Sequence, residues 1–163
     1  MMTPTERDYV ITQFAQTRHL VKQTFKGLSS QQFLYRPETG AWSMADNIEH
    51  LIVVEQRVLG RIEALLQQPP DVSKHAAMSD ERVVDVIGTV VERMQAPPQV
   101  VPTSQWPPEQ LVPEFEKARQ RTYDFAAAAD GDLRRRFISH YLYGDLDGYQ
   151  WLVLLSAHCR RLV

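Results

Sequence analysis

Cysteine is almost missing from this chain. Cys159 is the only one among 163 residues, which excludes an internal disulfide framework and suits a reducing compartment. Long apolar runs are missing too. None approaches the ~18 residues of a membrane-spanning helix, and the N-terminus is polar within a few residues, with no apolar signal region. The expectation is a soluble, cytoplasmic protein with no membrane partner. Basic charge is not in excess: 18 Lys and Arg stand against 20 Asp and Glu, for a formal net charge of −2. That leaves no electrostatic case for nucleic acid, and the short run Arg134–Arg136 reads as solvated surface. There is also no glycine-rich phosphate loop, no G-x-S-x-G turn and no H-E-x-x-H pair.

What the chain does have is helix punctuation. Thr3-Pro4-Thr5-Glu6 reads as a capping box with proline at the first helical position. Val10, Phe14, Val21, Phe25 and Leu28 then recur at helical spacing. In the stretch AWSMADNIEH, Ser43 is a natural N-cap with Asp46 three residues on, and Trp42 can staple onto the first turn. The apolar stripe there runs Ile48, Leu51, Ile52, Leu59, Ile62 and Leu66 until Pro69-Pro70. Residues 69–108 hold most of the prolines, each of which resists helix interior. Between them Asp80 to Met94 can form a shorter helix with Val83, Val86, Ile87, Val90 and Val91 apolar.

A third long helix carries Leu111, Phe115, Ala118, Thr122 and Phe125 and stops near Asp130-Gly131. A fourth opens at Asp147-Gly148-Tyr149-Gln150 and carries Trp151, Leu152, Leu154, Leu155 and Leu162. It runs to Val163 with no glycine, asparagine or proline to end it. No segment reads as a strand, because runs such as Val100-Val101 are cut short by proline. The fold class expected is all-α, an up-down four-helix bundle with helices near 4–28, 44–67, 109–129 and 148–163 and a proline-rich excursion between the second and third. Residues 1–163 form a single domain in this reading.

Five histidines are the candidates for chemistry. His19 and His75 read as surface residues, and His140 precedes a turn leading into the fourth helix. His50 lies beside the stripe of the second helix and His158 lies within the fourth. A bundle can bring two such side chains together in its interior. The bland alternative is two partly buried imidazoles hydrogen-bonded to neighbours. Cys159, next to His158, reads as a small core side chain, since adjacent helical residues point about 100° apart.

Taken in order, these segments resemble a known family. Ala41-Trp42-Ser43 with His50, then Pro108-Glu109-Gln110-Leu111 and Phe115-Glu116-Lys117-Ala118-Arg119, are similar to the second and third helices of the DinB-like, or YfiT-like, metalloenzymes. His140 through Leu152 resembles that family's HPxxGxLxxxxWL lead-in to its fourth helix, and His158 falls where that helix carries its first histidine. The resemblance implies a bundle in which one histidine of the second helix and an H-x-x-x-H pair of the fourth hold a divalent metal (Zn, Ni or Fe). Residues four apart share a helix face, and three protein ligands leave a position open for water or substrate.

It further implies thiol-dependent transferase or hydrolase chemistry on a small electrophilic substrate, with a low-molecular-weight thiol such as bacillithiol or mycothiol, and a homodimer. His50 and His158 map onto ligand positions, but four residues past His158 stands Leu162. His140 or Glu55 could substitute, and Trp151 with His140 would line the pocket. The alternative is a non-catalytic bundle that keeps the fold, has lost the metal, and serves in ligand binding or interaction.

Overall fold

A computed structural model describes residues 1–89 and 96–163. Its helix starts follow the caps. In α1 (Pro4–Thr24) the Thr3 hydroxyl accepts from the Glu6 N–H at 3.1 Å while the Glu6 carboxylate accepts from the Thr3 N–H at 3.0 Å. The same reciprocal pair joins Ser43 and Asp46 at the start of α3 (Met44–Leu65). Asp147 and Gln150 repeat it at the start of α6 (Gly148–Leu162). A fourth box, Ser29 with Gln32, starts a short helix α2 (Ser30–Leu34) where the sequence suggested only a turn. Each box satisfies N–H groups that a helix start otherwise leaves unpaired.

The excursion holds α4 (Asp80–Thr89). Val90, Val91 and Met94, expected to continue it, lie outside the described residues. The chain then passes through a 3-10 turn at Pro98–Val100 into α5 (Pro108–Ala128).

Four long helices form the bundle, though not in a strict up-and-down order. Two apolar clusters stack along its axis. The upper one takes Val21 from α1 and Phe25 at its C-cap, Ile48, Leu51 and Ile52 from α3, Leu111 and Phe115 from α5, and Cys159 from α6. The lower one takes Val10 and Phe14, Val58 and Ile62, Ala126, and Leu152 and Leu155 from the same helices. Residue numbers therefore climb upward in α1 and α6 and downward in α3 and α5, so α3 and α5 run parallel. The excursion makes this possible: a long crossing returns the chain to the upper end, where a short loop would force an antiparallel neighbour. Each fully buried Phe, Ile or Leu contributes roughly 1.5–3 kcal/mol.

Strand, unexpected from the sequence, is present. β1 (Phe137–His140) and β2 (Gly144–Asp147) form an antiparallel hairpin with Phe137 opposite Asp147 and His140 opposite Gly144. Gly144 closes the turn with φ +76°, a conformation that costs glycine little. The indole N–H of Trp151 donates to the Ile138 carbonyl at 2.9 Å, hooking the hairpin onto α6.

Between the two clusters lies a buried ion pair. Arg119 reaches Glu55 through Nε at 2.6 Å and a second nitrogen at 3.0 Å, and another nitrogen bonds the Thr17 hydroxyl. The rings of Phe14 and Phe115 flank its guanidinium, with centroids 4.9 and 5.1 Å away. Planar guanidinium suits this bidentate, ring-flanked geometry.

Candidate functional site

Helices α3 and α6 run antiparallel, and two contacts fix their register. His50 meets His158 near the upper end, and Arg61 lies over the ring of Trp151 lower down. The imidazole Nε2 atoms of His50 and His158 are 3.3 Å apart, with the rings edge-on at 74°. On the other side of His50, the ring of Trp42 lies 4.9 Å away.

The remaining nitrogen of His50 is already committed. Its Nδ1 lies 2.8 Å from the Val100 carbonyl oxygen, which can only accept, so Nδ1 carries the proton and Nε2 turns a lone pair toward His158. Val100 belongs to a strap that crosses α3, and Glu49 pins that strap. The buried Glu49 carboxylate accepts from the N–H groups of Thr103 at 2.9 Å and Gln105 at 3.1 Å, with left-handed Ser104 between them. Sequence reasoning missed both Glu49 and Val100. Glu49 left one signal, an acid beside His50 on the helix flank. Val100 left none.

Burial sets the electrostatics. It lowers the pKa of His50, against the opposing pull of the Val100 carbonyl, and the Arg161 charge lowers it further. His158 is held well below its ordinary value by burial first, then by His50, Arg161 and His140. Both rings are therefore neutral at neutral pH, the protonation state a metal ligand requires.

The geometry fits a shared cation. Two nitrogens each ~2.0–2.1 Å from a tetrahedral zinc stand about 3.3–3.4 Å apart. The same 3.3 Å separation also suits a hydrogen bond in which the His158 Nε2–H donates to the His50 Nε2. The donor set nonetheless stops at two. Among the described residues no group of three or more His, Cys, Asp or Glu side chains is arranged to hold a metal ion.

The suggested substitutes are engaged elsewhere. Glu55 is bound to Arg119. His140 stacks among Tyr141, Tyr143 and Trp151 at centroid distances of 4.7, 4.7 and 5.4 Å, and its Nδ1 accepts from the Leu142 N–H. Trp151 and His140 thus meet each other, two turns of α6 away from His158. Leu162 packs against the upper apolar cluster. Cys159 is fully buried, and burial pushes its thiol up to about 11, so it stays protonated and un-nucleophilic. His19 and His75 are exposed. A cleft of about 320 Å³ between α1 and α5 lies away from the pair. Its Lys22 pairs with Glu116 and its Arg119 with Glu55.

Fold and site together define a class: a helical bundle carrying paired neutral histidines between two antiparallel helices. A sequence model of the DinB superfamily matches residues 13–161, and the chain belongs to that superfamily. Neither a curated protein nor a solved structure matches it. No helix among the described residues is long and apolar enough to cross a membrane.

Proposed function

We propose that the protein is a metal-dependent enzyme of the DinB superfamily that joins a small thiol to an electrophilic substrate, or hydrolyses such a substrate. His50 and His158 hold a divalent ion, Zn, Ni or Fe, through their Nε2 atoms, and the other ligands come from outside the chain. The observation that carries this reading is the 3.3 Å separation of the His50 and His158 Nε2 atoms, with the His50 ring held through its Nδ1 by the Val100 carbonyl. A divalent ion in that place supplies positive charge that lowers the pKa of a thiol or water.

The chain's own groups divide the remaining work. Val100 and Glu49 hold the His50 ring in one tautomer and one orientation. Trp42 excludes water from the outer face of that ring. The depressed pKa values keep both imidazoles free of competing protons down to mildly acidic pH.

The test is the rate of conjugation of 1-chloro-2,4-dinitrobenzene by added cysteine at pH 7 with zinc-loaded protein. Acceleration over buffer, lost in His50→Ala, is the expected result. Equal rates with and without protein would remove the transferase reading.

One observation favours a second reading. Leu162 stands packed in apolar surroundings where a third donor would be needed, consistent with a bundle that binds ligands without turning them over.

A further inference from the structure

The strap over His50, residues 97–107, is joined to the bundle by few bonds. Prolines stand at 97, 98, 102 and 107 within it, and none of them has an N–H to give. Its own backbone bonds are short-range, from Val100 to the Pro97 carbonyl and from Val101 to the Pro98 carbonyl. Up to Pro107, whose carbonyl already belongs to the start of α5, its hydrogen bonds to the bundle among the described residues run to two side chains, adjacent on α3. His50 donates to the Val100 carbonyl at 2.8 Å. One oxygen of Glu49 accepts from the N–H of Thr103 at 2.9 Å, its hydroxyl at 3.4 Å and the N–H of Gln105 at 3.1 Å. Apolar anchorage comes from buried Val100 and from Trp106, half-buried on the upper cluster. Val101, Thr103, Ser104 and Gln105 are exposed.

Backbone strain sits at the same place. Ser104 has φ +59° and is the one non-glycine residue in the left-handed region among the described residues. Its turn brings the N–H groups on either side of it onto a single carboxylate oxygen, as in a backbone anion nest. A side chain held in that conformation costs free energy that a released strap recovers. Closure thus rests on one carboxylate and one imidazole, against strain, and a segment held by so few contacts opens well before the core does.

Opening has a chemical consequence. With the strap closed, His50 is buried, its Nδ1 keeps the proton, and its Nε2 faces His158. Released, Nδ1 loses its acceptor, the ring edge meets water, and either nitrogen can carry the proton. We propose that the strap is a gate on His50: it opens as a unit, letting go of Glu49 and His50 together, and its closure both shields the ring and commits Nε2 to face His158 as an acceptor. The gate itself stands apart from the function proposed above; its response to a metal rests on that reading. An ion at Nε2 needs the tautomer that the closed strap holds, so an ion favours closure.

Amide hydrogen exchange on metal-free protein, with acylation by diethyl pyrocarbonate mapped by mass spectrometry, tests the gate. The Thr103 and Gln105 amides should share one opening, at least about a hundredfold more populated than that of the Leu51 and Ile52 amides in α3. Ser104→Val sets a β-branched residue in the left-handed region at an exposed position. It should speed both amides about tenfold and acylation of His50 by the same factor, while exposed His19 reacts at its wild-type rate. Exchange of Thr103 and Gln105 only together with the α3 core, or faster exchange with His50 acylation unchanged, would overturn the gate. Zinc separates the two readings. Bound zinc should slow both amides about 10–100-fold, the weight of an outer partner on a metal-bound histidine, because the coupling is reciprocal. If calorimetry shows no zinc binding while the Ser104→Val result holds, the metal reading fails and the gate stands. Bound zinc with unchanged exchange overturns the gate and leaves the metal reading in place.

Discussion

The Val100 carbonyl oxygen accepts a hydrogen bond from the Nδ1–H of His50 at 2.8 Å, and this contact decides which nitrogen of the ring meets His158. The carbonyl comes from a turn fifty residues further along the chain. It stays in place because Glu49, one residue before His50, grips the same strap through two backbone amides. Helix α3 thus orients its own histidine by holding the loop that caps it.

Glu49→Ala should loosen that arrangement. Two N–H groups lose a buried carboxylate, at a cost of about 2 kcal/mol in stability, read as a lower urea midpoint. The more specific outcome is at His50, where nitrogen-15 spectra should change from a single tautomer with protonated Nδ1 to a mixture. A stability loss with the tautomer intact would mean that Val100 is held without Glu49.

Leu162→His should restore a third donor one turn beyond His158. Zinc affinity rises by at least about tenfold if His50 and His158 already supply two ligands. The same change removes a packed leucine and lowers stability by about 1–2 kcal/mol. Unchanged affinity would show that the pair does not face a common ion.

Stability should fall as pH drops from 7 to 5. Above about pH 6.5 the buried rings are neutral in both folded and unfolded chains and add no pH dependence. Through 6.5 and below, the unfolded chain takes up protons that the folded rings refuse, and the loss stops growing only below the folded values. For His140 that value is about 4, lowered by burial and then by Arg61; His50 and His158 are lowered as well. Asp147 acts in the opposite sense. Burial raises it to about 6, so the folded chain gains stability as pH falls between about 6 and 3.8. Three rings against one carboxyl give a net loss. Urea midpoints at several pH values measure it, and His140→Gln should flatten the slope.

Much of the fold was legible because its punctuation is local. Thr3 with Glu6, Ser43 with Asp46 and Asp147 with Gln150 are separated by three residues, and each forms the cap its spacing suggests. The β-hairpin was not legible: Phe-Ile-Ser-His and Gly-Asp-Leu-Asp are too short and too mixed to show alternation, and the pairing is held by the Gly144 turn and the Trp151 hook. The direction of α5 was hidden as well, since it depends on how far the excursion travels before Pro108. At the site, His50 and His158 stood out as imidazoles beside apolar stripes. The commitment of Glu55 to Arg119 did not, because it depends on α3 and α5 lying side by side.

That ion pair carries its own expectation. Glu55→Gln or Arg119→Met alone leaves an uncompensated buried charge or its bare partner site and should cost about 3–5 kcal/mol. Replacing both by apolar residues should cost far less than the sum. A double-mutant cycle in urea reads the difference, and additive losses would mean that the two groups act independently.

Cobalt(II) titration, followed by visible absorption, tests the central claim most directly. One equivalent should bind to the wild-type protein and to His19→Gln, an exposed control, with the bands lost in both His50→Ala and His158→Ala. Bands of the same strength in either histidine variant, or none in the wild type at millimolar cobalt, would contradict a metal held between His50 and His158.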